Sequence, residues 1–178
     1  MMSSKENPVN EIPSILAAAQ NLVYQPLNYL INNLHIEPES REYTACTFEL
    51  NGLKIIHRQS KITPTKTGQF VTIWKRNEAG ITIPFNEQDG FDLLMISTKT
   101  ENHFGQFIFS KATLSDHKII TKNDIEGKRG IRIYPPWDPV TSKQAEKTQK
   151  WQIPYFLKIG INENPDLALA KKLINSKY

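Results

Sequence analysis

One cysteine, Cys46, is all the chain of 178 residues contains, so an intrachain disulfide and a cysteine-built zinc site are both excluded. Histidine is scarce too: His35, His57, His103 and His117 stand far apart, with none of the i, i+4 spacing of a helical metal pair. No apolar run approaches the ~20 residues that cross a bilayer, so no membrane span is expected. The first ten residues are polar rather than a basic stretch, an apolar stretch and a small-residue cleavage site, and the expected location is cytoplasmic. The most telling scarcity is local. Between Leu50 and Asn77 there is no Asp or Glu, although six basic side chains (Lys54, Arg58, Lys61, Lys66, Lys75, Arg76) fall there in a protein of net charge only +4. Such a one-sided stretch repels itself unless solvent or an anionic partner screens it, which makes a phosphate backbone a natural ligand.

What is present fits one globular domain, at 39% hydrophobic and 22% charged residues. From Ile12 to Leu34 apolar residues recur at helical spacing and predict an amphipathic helix bent at Pro26. Asn51-Gly52 lies between two alternating runs. Both residues accept the positive φ of a two-residue type I′ turn, so a hairpin is expected, with Leu50 opposite Leu53, Phe48 opposite Ile55 and Cys46 opposite His57. Further strands are predicted at Gln69–Arg76, Phe91–Ser97, Gly105–Ser110 and Ile131–Tyr134, and helices at Ser142–Trp151 and from Asn164 to about Ile174. The order implies a sheet between helical layers.

Two constellations carry chemistry. The first is Lys61-Ile-Thr-Pro-Thr-Lys66-Thr-Gly68, a turn-rich loop followed by a strand ending in Lys75 and Arg76. It is not a Walker loop, because Lys66 precedes Gly68 and a strand follows where a helix should open. The second, Lys128-Arg129-Gly130-Ile-Arg132-Ile-Tyr134-Pro-Pro-Trp137, mixes guanidinium forks with aromatic faces, and Trp151-Gln152 at a helix end adds a further ring and amide. Arg matches phosphate geometry and Tyr or Trp stacks unpaired bases. Arg58, Lys61, Lys66, Lys75, Arg76, Lys128, Arg129 and Arg132 are therefore the expected anion-binding set, with Tyr134, Trp137, Trp151 and Gln152 as stacking or pocket residues. Cys46 opposite His57 has the composition of a nucleophile and its base, but the apolar hairpin face would raise the thiol's pKa, and a packed Cys is the expected reading. Glu49 has a ready cross-strand partner in Lys54 and is otherwise a candidate metal ligand.

Together these blocks, with Thr47-Phe48-Glu49-Leu50-Asn51-Gly52, Trp74-Lys75-Arg76, Phe91-Asp92 and Gly105-Gln106-Phe107, resemble the MepB-like family of bacterial proteins, named after a gene beside a multidrug efflux pump. The resemblance covers about Tyr43 to Phe156. It implies one MepB-like domain over residues 11–178 behind a flexible start at 1–10, and a restriction-endonuclease-like α/β fold, a mixed sheet flanked by helices. No reaction comes with the family. Active enzymes of that architecture hold Mg²⁺ with an Asp and an Asp/Glu-x-Lys. The resemblance puts Asp92 and Lys111 in those places, with Phe109 standing where the second acid belongs and Gln106 or Glu49 as a substitute. Three readings follow: a DNA- or RNA-binding protein without a certain cofactor, a divergent Mg²⁺-dependent nuclease or other phosphodiester hydrolase, and a regulatory protein recognising another protein or a small anion.

Overall fold

The structure, a computed structural model, describes residues 11–161 and 163–176; the expected flexible start at 1–10 lies outside the described residues. The chain enters through helix α1 (Ser14–Ala19), which runs on into a π-helical turn (Gln20–Tyr24) and a 3-10 turn (Gln25–Leu27). Strands β1 (Ile31–Ile36), β2 (Cys46–Leu50), β3 (Leu53–Gln59), β4 (Lys61–Ile62), β5 (Gln69–Thr72), β6 (Trp74–Arg76), β7 (Thr82–Pro84), β8 (Leu93–Lys99) and β9 (Phe104–Ser110) follow. Helix α2 (Lys111–Asp116), strand β10 (Gly130–Ile133), helix α3 (Lys143–Gln152), strand β11 (Phe156–Lys158) and helix α4 (Leu167–Ile174) complete the order.

The predicted helix to Leu34 stops early. Asn28 adopts a left-handed φ of 60° and ends the helical path, and Ile31 and Leu34 belong to β1. Their helix-like spacing has a strand origin. Asn33 takes a φ of 52°, and the register against β2 shifts between Asn32 and His35, so a bulge turns a period of two into an interval of three. The hairpin has the register that the Asn51-Gly52 turn dictates, from Leu50↔Leu53 to Cys46↔His57.

Six strands form one mixed sheet in the order β1-β2-β3-β8-β9-β11, parallel only between β3 and β8. Both of its faces are covered, so β9 is buried at every position and reads in sequence as a continuous apolar run. On one face α1 and α4 bring Ile15, Leu16, Ala19, Ala170, Leu173 and Ile174 against Phe48, Leu50, Met95 and Ile108. On the other, Val71, Ile131 and Ile133 meet Ile56, Leu94, Ile96, Phe107 and Phe109. That second cover is not helical alone. A three-stranded sheet, β10-β5-β4, lies there, joined by Leu114 of α2 and, more peripherally, Trp151 of α3.

The predicted strand Gln69–Arg76 is divided between two sheets. β5 pairs with β10, whereas β6 pairs with β7 through a turn at Asn77 to Gly80. Between them Ile73 is buried, and its N–H donates to Arg129 O at 2.9 Å, so the break keeps an inward side chain and a satisfied amide.

Candidate functional site

Two of the sequence blocks, about 60 residues apart, meet because β5 and β10 are antiparallel partners. The register Arg132↔Phe70 sets these side chains together on the strand face opposite Val71, Ile131 and Ile133. The β4–β5 loop then forms one rim, carrying Thr65, Lys66 and Thr67, while α3 supplies the wall with Thr141, Ser142, Gln144, Ala145 and Thr148. Lys128 and His117 complete the border of an open cleft of about 770 Å³. No Asp or Glu lines it, although three Lys or Arg side chains do.

Arg132 is held by two identifiable contacts. Arg132 donates through Nη2 to Thr63 Oγ1 (2.9 Å) and through Nη1 to Thr67 O (3.3 Å), which ties β10 to the rim loop without neutralising the guanidinium. No carboxylate of the described residues forms a salt bridge with Lys66, Lys128 or Arg132. The wall opens at a capped helix end: Ser142 Oγ accepts from Ala145 N–H at 3.1 Å. Gln152, only 1% exposed, fastens the other end of α3. Its Oε1 accepts from Tyr134 N–H (2.9 Å) and its Nε2 donates to Arg132 O (3.1 Å), so it extends the β10 hydrogen bonding and orients the cationic strand.

Glycine shapes the cleft at two points. Gly68 has φ +81°, and a Cβ there would come within 2.6 Å of Tyr134 Cε1, so the ring lies directly against the rim loop. Gly130 would bring a Cβ within 2.5 Å of the Phe70 ring. Trp151 stacks on His117, with ring centroids 3.8 Å apart and planes 11° from parallel. Burial holds the His117 pKa below the ordinary imidazole value, with Asp116 opposing.

Of the expected anion-binding set, the cleft collects Lys66, Lys128 and Arg132, and of the expected rings Tyr134 and Trp151. The other five cations go elsewhere. Arg58 is 4% exposed, donates from Nη1 to His57 O, and sits 5.9 Å from the Phe85 ring centroid. Lys61 lies 4.9 Å over Tyr43. Lys75 pairs with Asp89 at 2.5 Å, Arg76 forks onto Glu39 at 2.7–2.9 Å, and Arg129 meets Glu126 at 2.9 Å. Trp137 lies outside the cleft, stacked with His103 (4.7 Å, 7°) and edge-on to Phe156.

Sequence reasoning missed His117, Phe70, Thr65, Thr67, Thr141 and Thr148. Only the helix start at Ser142 gave a local sign of that wall.

The Asp92 region has a different character. Lys111 N donates to Asp92 O at 3.3 Å, so the two residues adjoin through their backbones. Each side chain has a hydrogen-bond partner of its own: Asp92 Oδ2 accepts from Lys54 N–H at 2.8 Å, while Lys111 Nζ donates to Asp89 O and lies 4.8 Å over the Phe91 ring. Glu49 accepts from Asn33 Nδ2 at 3.0 Å and lines a small groove of about 240 Å³ that shares no residue with the cationic cleft. Phe109 is fully buried against Phe107, Trp151 and Tyr155. Among the described residues no three His, Cys, Asp or Glu side chains are grouped to hold a metal. Nor is any described helix long and apolar enough to cross a membrane.

A mixed six-stranded sheet covered on both faces, with a second small sheet bearing the cleft, defines a single-domain α/β protein. The family model described as MepB-like matches residues 37–158, more than half of the chain, and the protein belongs to that family. The crystal structure of MepB is similar at 35% identity and a TM-score of 0.70, over 75% of this chain and 88% of that one. A bacterial homing endonuclease is similar at 12% identity and a TM-score of 0.43, over 92% of this chain and 93% of that one. No curated protein matches the chain.

Proposed function

We propose that the protein binds nucleic acid, DNA or RNA, in the cytoplasm, by holding backbone phosphates in the cleft between β5, β10 and α3. One observation carries this reading: Lys66, Lys128 and Arg132 converge on a cleft that no carboxylate lines. In so small a space three like charges raise one another's energy unless an anion joins them. The threonine hydroxyls of the rim and wall offer uncharged donors beside the cations, and the α3 N-terminus adds the positive end of its dipole. The chemistry asked of the site is binding alone, with no metal and no reaction.

The test is the salt dependence of oligonucleotide affinity, read by fluorescence anisotropy at low protein concentration. Affinity is expected to fall linearly with salt on logarithmic axes. Changing Lys66, Lys128 and Arg132 together to Ala is expected to flatten the slope by about 2, from ~0.7 per phosphate contact on a single strand. The double variant Arg76→Ala/Arg129→Ala serves as control, since both cations are paired outside the cleft, and it should retain affinity to within a few-fold. Absence of binding by the unaltered protein at low salt ends this reading.

A further inference from the structure

Resting on that reading, we infer that the cleft takes an unpaired strand, seating a base on His117 or Tyr134 while Lys66, Lys128 and Arg132 hold the flanking phosphates. Three features of the molecule lead there. The first is shape. Duplex DNA is read by a convex helix or ribbon that enters a groove about 12 Å wide. Here the cations and rings line the inside of a recess of about 770 Å³, within the ~300–1,000 Å³ range of sites that enclose a small guest. One or two splayed nucleotides suit such a recess; the flank of a duplex reaches only its rim.

The second feature is the aromatic arrangement. Trp151 covers one face of the His117 imidazole at 3.8 Å, and His117 is otherwise exposed, so its second face meets solvent at the border of the cleft. Trp151 itself is half-buried against Phe109 at 5.4 Å and serves as backing rather than as the platform. Tyr134 is braced by backbone instead of a ring, the rim loop at Gly68 lying against its Cδ1 and Cε1. A ring supported from behind presents a rigid plane, and every base has a π-face to lay on it, so the preference extends to unpaired bases without base identity.

The third feature is the mixture of groups. A site for bare phosphate needs cations and donors alone, yet Phe70, Tyr134 and His117 interleave with Lys66, Lys128 and Arg132 around one opening. Alternation of charge and ring is the composition of a single-strand groove, where the charges track the backbone and the rings take the bases.

The experiment compares a labelled oligothymidylate of about ten residues, a duplex of the same length and thymidine monophosphate, all at one low salt concentration. The strand is expected to bind most tightly. His117→Ala and Tyr134→Ala are each expected to weaken strand binding by about 5- to 150-fold, corresponding to ~1–3 kcal/mol per stacked base, without changing the salt slope. Lys128→Ala is expected to change the slope. His117→Phe should restore the affinity that His117→Ala loses, which separates a stacking role from a general loss of fold. A duplex that binds as tightly as the strand overturns the inference and leaves the broader function standing. Monophosphate that displaces the strand at equal concentration overturns it in favour of a free nucleotide. Failure of both strand and duplex to bind removes the inference and the function together.

Discussion

Nε2 of His57 lies 2.8 Å from Ser97 Oγ, and that contact sits in the middle of a buried chain of hydrogen bonds with a fixed direction. His57 Nδ1 is 3.1 Å from Thr44 O, which can only accept, so Nδ1 bears the hydrogen and Nε2 must accept from the Ser97 hydroxyl. Ser97 Oγ accepts in turn from Gln106 Nε2 at 2.9 Å, and Gln106 Oε1 accepts from the Tyr24 hydroxyl at 2.7 Å. Every member thus depends on a neutral imidazole. Burial, with Arg58 assisting and the Thr44 bond opposing, pushes the His57 pKa down to about 4.

Acid should therefore destabilise the fold through His57. The unfolded imidazole takes up its proton near the ordinary histidine value of 6.5, whereas the folded one resists until about 4. The stabilisation is complete above pH 6.5, declines as the pH falls through that window, and amounts to about 3 kcal/mol in all. Urea unfolding at pH 7 and pH 4.5 measures the decline, and His57→Gln should show a flatter pH dependence. Identical pH profiles for the two proteins would refute the assignment.

Cys46 should be chemically silent in the native protein. It is buried 3.6 Å from His57 Nδ1, and burial raises its thiol pKa to about 12, with Arg58 opposing. A disulfide reagent at pH 8 is expected to label it only at the rate of unfolding, and rapidly in concentrated guanidinium. Fast labelling under native conditions would mean that the hairpin face opens readily.

Two glycines with similar φ should respond differently to alanine. Gly52→Ala, at φ +75° with nothing within 4 Å of the added carbon, is expected to cost about 1 kcal/mol and to leave ligand binding intact. Gly68→Ala meets both a φ of +81° and the Tyr134 ring, so it should cost more stability and displace that ring. Thermal melts and anisotropy together check this. Equal effects at the two sites would show that Tyr134 is not braced by the loop.

Asp92→Ala is expected to cost roughly 1 kcal/mol by removing the acceptor for Lys54 N–H, and to leave oligonucleotide affinity unchanged. If the variant keeps its stability and loses binding, the ligand reaches the Asp92 end of the sheet after all.

These sites differ in how far they were legible from sequence. The Asn51-Gly52 hairpin was readable to the individual pair because its determinants lie within a few residues of one another. The helix expected to reach Leu34 was not, because a bulge in β1 imitates helical spacing and only a partner strand reveals it. For the cations the difficulty is similar. Nothing near Arg76 or Lys75 announces that Glu39, 37 residues away, or Asp89, 14 away, will neutralise them. The same distance effect hid His117, whose position becomes meaningful only once Trp151 folds beneath it.

The parallel pairing of β3 with β8 also bears on the time course of folding. The β2–β3 hairpin closes through a two-residue turn, whereas Ile55 waits for Leu93, 38 positions along, before the sheet can extend. Hairpins form in about 1–10 μs and distant pairings far more slowly, so the hairpin is expected to lead and the central junction to limit the rate. The recess requires its rim loop, β10 and α3 to dock upon that sheet, which makes it one of the last parts to assemble. A nascent or partly refolded chain would then be blind to its ligand, and captured oligonucleotide would serve in stopped-flow refolding as a clock for the final step.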